Sequence, residues 1–182
     1  MTDLGEQVRA LNFAAEKSLR YHQRRRAHYD RLHRGVMLLI ILSGSAAFAQ
    51  AFPHAEYLAA LTALLGALEL VYGFSHKARD HELLHRRFTE LLADIKTHPV
   101  PDESMLGDWS RKRLLIETDE PPIYWALEAS CDNEVRIAWG CEKLGLVKLS
   151  WWQKLMMNWQ TFHKSEFKFV PLDTAARAFE AT

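Results

Sequence analysis

Residues 35–52, GVMLLIILSGSAAFAQAF, form an 18-residue run without a single charge. At helical rise this run spans about 27 Å, close to the roughly 30 Å hydrocarbon thickness of a bilayer. Pro53, His54, Ala55 and Glu56 form a short turn, and residues 57–75, YLAALTALLGALELVYGFS, are apolar again apart from Glu69. Two such runs joined by so short a turn predict a hairpin of two membrane-spanning helices. Buried helices of a soluble bundle are the competing reading. Whole-chain averages conceal the runs: 25% of the 182 residues are charged, 48% are hydrophobic and net charge is zero. That balance gives no reason to expect broad nucleic-acid binding.

The flanks orient the hairpin. Arg20, Arg24, Arg25, Arg26, Arg31 and Arg34 precede the first run, Lys77, Arg79, Arg86 and Arg87 follow the second, and the turn has no Lys or Arg. The excess of basic residues on the cytoplasmic side then places the turn outside and both termini in the cytoplasm, in a bacterial inner membrane. The first 34 residues are polar and charged, so no secretory signal is expected. Arg24, Arg25, Arg26, Arg31, Arg34, Lys77 and Arg79 are candidate contacts to anionic lipid head groups. Phosphates of nucleic acid or nucleotide are the alternative for the Arg24–Arg26 run, and direct nucleic-acid binding stays open.

The predicted fold is all-α. Residues 1–34 form a cytoplasmic helix carrying Leu4, Val8, Leu11, Ala15, Leu19 and His22 near helical spacing, 35–75 the hairpin, and 76–182 a cytoplasmic helical region. Within the last, 76–97 is amphipathic, with Leu83, Leu84, Phe88, Leu91, Leu92 and Ile95 on one side, and Pro99 and Pro101 end it. A short helix is expected at 108–117. A helix of about 20 residues opens after Glu120-Pro121-Pro122 and ends near Gly145. Another runs over 150–164 with Trp152, Leu155, Met156, Trp159 and Phe162 on one face. Trp151, Trp152 and Trp159 read as bundle core or as an interfacial membrane helix. Cys131 and Cys141, ten residues apart, are too distant on one helix for a disulfide and read as reduced thiols.

Several residues carry candidate functions. Small residues recur every fourth position, at Ser43, Ala47 and Ala51 and again at Ala59, Ala63 and Ala67 beside Gly66. Such rows let helices approach closely in lipid, within one hairpin or between subunits. Glu69 lies about 9 Å inside the cytoplasmic boundary. A carboxylate there needs water or a partner. In a ring of subunits it would line a pore and favour cations, with Ser43 and Thr62 as further pore-lining candidates. The bland reading is a local pair with a basic group. His81-Glu82-Leu83-Leu84-His85 matches H-E-x-x-H, whose two His bind zinc while the Glu activates water; Glu128 offers a third ligand. Arg86 and Arg87 oppose a metal there, and a solvated helix face is the preferred reading. No metal and no cofactor is expected.

The order of basic helix, hairpin, FSHKARDHELLHRRFTELLADI, EPPIYWALEASCDNE and LSWWQKL resembles the SLATT family, two-helix membrane proteins of bacterial conflict systems. The similarity runs from Leu58 to about Leu155 and rests on phrases such as Phe74-Ser75-x-Lys77-Ala78-Arg79. It implies a non-enzymatic, homo-oligomeric effector that forms a pore or perturbs the membrane in anti-phage defence. The resemblance also implies a separate sensor protein that triggers it, such as a nucleotide-signal enzyme or a reverse transcriptase. A membrane-bound zinc metallopeptidase and a non-conducting anchor are the rivals.

Overall fold

A computed structural model describes residues 3–45, 50, 54–98, 100–141 and 145–169. It is all-helical, with no strand among the described residues. The helices are α1 (Asp3–Gly44), α2 (Ala55–Tyr72), α3 (Phe74–Thr97), α4 (Glu103–Glu117), α5 (Trp125–Ala138) and α6 (Trp151–Met156), followed by a 3₁₀ turn at Lys164–Glu166. The chain divides into two compact units, one of Met1–Gln23 with Leu83–Thr182, the other of Arg24–Glu82.

The first unit is built on the apolar stripe of α3. Leu84, Phe88, Leu91, Leu92 and Ile95 bury together with Leu11 and Ala15 of α1 and Trp109 and Ile116 of α4. Leu83 departs from the expected stripe and is exposed. Asp102 caps α4, accepting the Met105 amide at 2.7 Å. This supplies one of the acceptors that the first amides of a helix lack. A second cluster joins Ala126 and Ala129 of α5 to Val147, Phe162 and Phe167.

Two helices are shorter than their periodicity predicts. α5 stops at Ala138, well before Gly145, because Gly140 takes the left-handed conformation (φ 68°). The Cys141 amide then reaches back to the Arg136 carbonyl at 2.8 Å and closes the end. Cys141 is therefore outside the helix, and no disulfide joins the two cysteines. α6 opens on a reciprocal cap between Ser150 and Gln153 and lasts only six residues. After it the chain turns, and Phe162 enters the core while Trp151, Trp152, Leu155 and Trp159 stay exposed. Those three Trp are not bundle core.

In the second unit the half of α1 beyond Arg24 faces α2. The inner positions are His33, Val36, Ile40 and Ser43 on α1 and Leu58, Thr62, Leu65 and Glu69 on α2, both at helical spacing. The rest of α2 is exposed, and none of its residues is buried. Ala55–Thr97 is the one helical run among the described residues long and apolar enough to cross a membrane, judged by length and composition. The first predicted span is described at 35–45 and 50 only, and it is helical through Gly44.

Candidate functional site

Glu69 ties three helices together. Its Oε1 lies 2.9 Å from His33 Nδ1 on α1. The same oxygen accepts the Ser75 amide at 3.4 Å, in the first turn of α3. Between α2 and α3 the chain passes through Gly73, in the left-handed region (φ 57°, ψ 51°), whose amide bonds the Glu69 carbonyl at 2.8 Å. The carboxylate thus reaches around the joint to the positive end of the next helix, where an anion is favoured. Its other oxygen, Oε2, is buried without a hydrogen-bond partner among the described residues.

Further along the same seam Ser43 Oγ and Thr62 Oγ1 lie 2.7 Å apart. Each hydroxyl also bonds a carbonyl one turn back, Ser43 to Leu39 at 2.7 Å and Thr62 to Leu58 at 2.9 Å. All three pore-lining candidates thus sit on the inner seam, each bonded within a single chain. A β-carbon on Gly44 would come within 3.8 Å of Thr62 Cγ2, so α1 and α2 approach closely there.

The small-residue row of α2 lies elsewhere. Ala59, Ala63, Gly66 and Ala67 are exposed, and a β-carbon at Gly66 meets nothing within 4 Å. Ala47 and Ala51 lie outside the described residues.

The basic positions separate by helix face. Arg31, Arg34, Lys77 and Arg79 are exposed, as a head-group contact requires, and Arg24 is half-buried. Arg26 lies 3.7 Å from both Asp30 and Glu82. Arg25 departs from the expectation: it is 1% exposed, stands 4.6 Å over the Tyr29 ring and donates to the Tyr29 hydroxyl. Position 25 falls three residues after buried His22, on the inner stripe of α1, and its side chain is buried with it. His28 is depressed to about 4 by burial, reinforced by the charges of Arg25 and Arg31.

The H-E-x-x-H residues have other engagements. His81 is buried and stacks on Tyr29 with centroids 5.7 Å apart. His85 Nδ1 bonds the Leu19 carbonyl at 3.2 Å. Glu128 pairs with Lys17 at 2.7 Å. Among the described residues no three His, Cys, Asp or Glu group together as a metal site would require.

The first unit contains a cleft of about 680 Å³ that no sequence pattern announces. Its walls include Phe13, Tyr21 and Trp125, and several of its charges come in pairs. Lys17 meets Glu128, Arg136 Nε donates to Asp132 at 2.6 Å, and Arg113 meets Glu117 at 2.6 Å. Beside it His22 Nε2 bonds Glu120 at 3.0 Å and stacks on Phe88. Near this network Glu16 is held below the usual carboxylate range: burial raises it, but hydrogen bonds from Arg20 and Trp139 and the charges of Arg20 and Lys96 outweigh that. Lys17–Glu128 joins positions more than 100 residues apart, a pairing that local spacing does not reveal.

No protein family, curated protein or solved structure matches this chain.

Proposed function

We propose that the chain is an oligomeric inner-membrane effector, with the apolar run 35–52 and α2 as the two arms of a spanning hairpin and both termini in the cytoplasm. The observation that carries this reading is α2: eighteen residues, apolar almost throughout, none of them buried. Leu61, Leu64, Leu70 and Val71 are exposed together. Each such side chain left in water forgoes about 1.5–3 kcal/mol of burial, and lipid removes that penalty. The one carboxylate of the run's inner half is engaged by His33 and Ser75, as residence in hydrocarbon demands.

The exposed row at Ala59, Ala63, Gly66 and Ala67 supports close packing between copies. Assembly would bring copies of Glu69, Ser43 and Thr62 around a common axis, and a separate sensor protein would trigger the change that admits water to them. The resemblance to SLATT effectors supports membrane permeabilisation in anti-phage defence as the outcome. The chain is read as a non-enzyme, without cofactor.

A membrane-potential dye in bacterial cells producing the full chain tests this function. Depolarisation on triggering or overproduction, lost in Ala63→Leu, is the expected result. An intact potential at high membrane levels of the chain would leave it an anchor.

A further inference from the structure

The segment around α6 exposes large apolar side chains beside a cluster of positive charge. Trp151 is 74% exposed, Trp152 45%, Leu155 57% and Trp159 60%. The Trp151 and Trp152 rings meet edge to face at 5.6 Å, and Leu155 follows Trp151 by one helical turn. A soluble surface rarely carries such a patch unless something docks there. Residues 145–169 contain four Lys against one Glu, a net +3 with His163 neutral. Lys148, Lys154, Lys164 and Lys168 are all exposed. None of the ion pairs among the described residues involves Lys148, Lys154 or Lys168. The single acid, Glu166, is spent locally, accepting from Gln153 at 3.2 Å and from the His163 amide at 3.1 Å.

We infer that this surface, centred on Trp151, Trp152 and Leu155, docks onto an anionic lipid surface. Trp and Lys together select that occupant over a protein groove. An indole rests stably at the head-group level, where its ring is half in hydrocarbon and its N–H is wet. Exposed lysines add attraction to anionic head groups that a neutral apolar partner would not supply. α6 is too short and too polar on its Gln153–Lys154 side to enter the bilayer, so it lies on it. The inference stands apart from whether α2 spans, because it concerns a different face and a reversible contact.

The full chain is reconstituted in vesicles of brominated phosphatidylcholine, alone or mixed with phosphatidylglycerol. The bromines quench only those indoles that reach the acyl boundary. Wild type should lose a share of its emission that grows with phosphatidylglycerol and shrinks with salt. In Trp151→Ser/Trp152→Ser/Leu155→Ser that share should vanish, with the helical circular dichroism unchanged because all three residues are exposed. Lys148→Gln/Lys154→Gln/Lys168→Gln, which keeps every indole, should abolish the dependence on phosphatidylglycerol and salt. Equal quenching of wild type and the Trp variant would overturn the inference. So would shielding of these Trp from an aqueous quencher without any quenching by brominated lipid, which would assign the face to a protein partner or a second copy. Release of the chain from vesicles by carbonate, with bromine quenching intact beforehand, would remove the spanning hairpin and leave this surface standing.

Discussion

Glu69 owes its role to its partners. Removing them separately distinguishes what each does. Glu69→Ala loses both the His33 contact and the Ser75 amide, and should destabilise the joint at Gly73 by about 1–2 kcal/mol. Amide hydrogen exchange over residues 74–77 should accelerate accordingly. His33→Asn keeps a donor near the Nδ1 position and should restore most of the protection that His33→Ala loses. His28 provides a second handle. It titrates near 6.5 when unfolded and near 4 when folded, so between these values the unfolded chain binds the extra proton. Its contribution is complete above pH 6.5 and is lost as the pH falls toward 4. Thermal melts in detergent should therefore decline over that window, and His28→Gln should flatten the decline. Of these residues only Glu69 was legible in sequence, as a lone charge in an apolar run. His33 lies 36 positions away on another helix, with no spacing to mark the pair. Arg25 misleads for a related reason: it belongs to a basic run, but its helix face decides whether it meets water, and the face is set by buried neighbours such as Tyr21 and His22.

At the scale of elements, the joints matter more than the helices. Gly73 holds φ 57° between α2 and α3, and a β-carbon there finds ordinary contacts at 3.8 Å to His76. Gly73→Ala thus has a purely conformational cost of roughly 1 kcal/mol. Gly73→Asn should cost less, as denaturant titration of the detergent-solubilised chain would measure. The outer row of α2 behaves differently. Ala63→Leu should leave one chain folded, since Ala63 is exposed, while reducing the oligomer resolved by cross-linking in membranes. Unchanged cross-linked species would assign that row to lipid alone. Helix existence was legible from periodicity, and so was most of the α3 stripe. The ends of α3 at Thr97 and α4 at Glu117 were legible too. Those of α5 and α6 were not, because Gly140 and the turn after Met156 act through backbone conformation and the pull of Phe162 into the core.

For the whole molecule, sequence conveys the all-helical class and the two apolar runs, since both follow from local composition. The division into units at Gln23/Arg24 and Glu82/Leu83 was hidden, because both boundaries fall inside continuous helices with no Pro or Gly to mark them. The cleft of the first unit was hidden too, being assembled from α1, α4 and α5 together with the segments that follow them. What unites the molecule is an apolar helix whose side chains find no core of their own. Carbonate extraction of membranes from cells producing the untagged full chain tests directly whether lipid is the missing environment. The chain should remain in the pellet after the wash and enter solution only with detergent. Recovery in the carbonate supernatant, or in the soluble fraction before any wash, would contradict a membrane-spanning hairpin and everything built upon it.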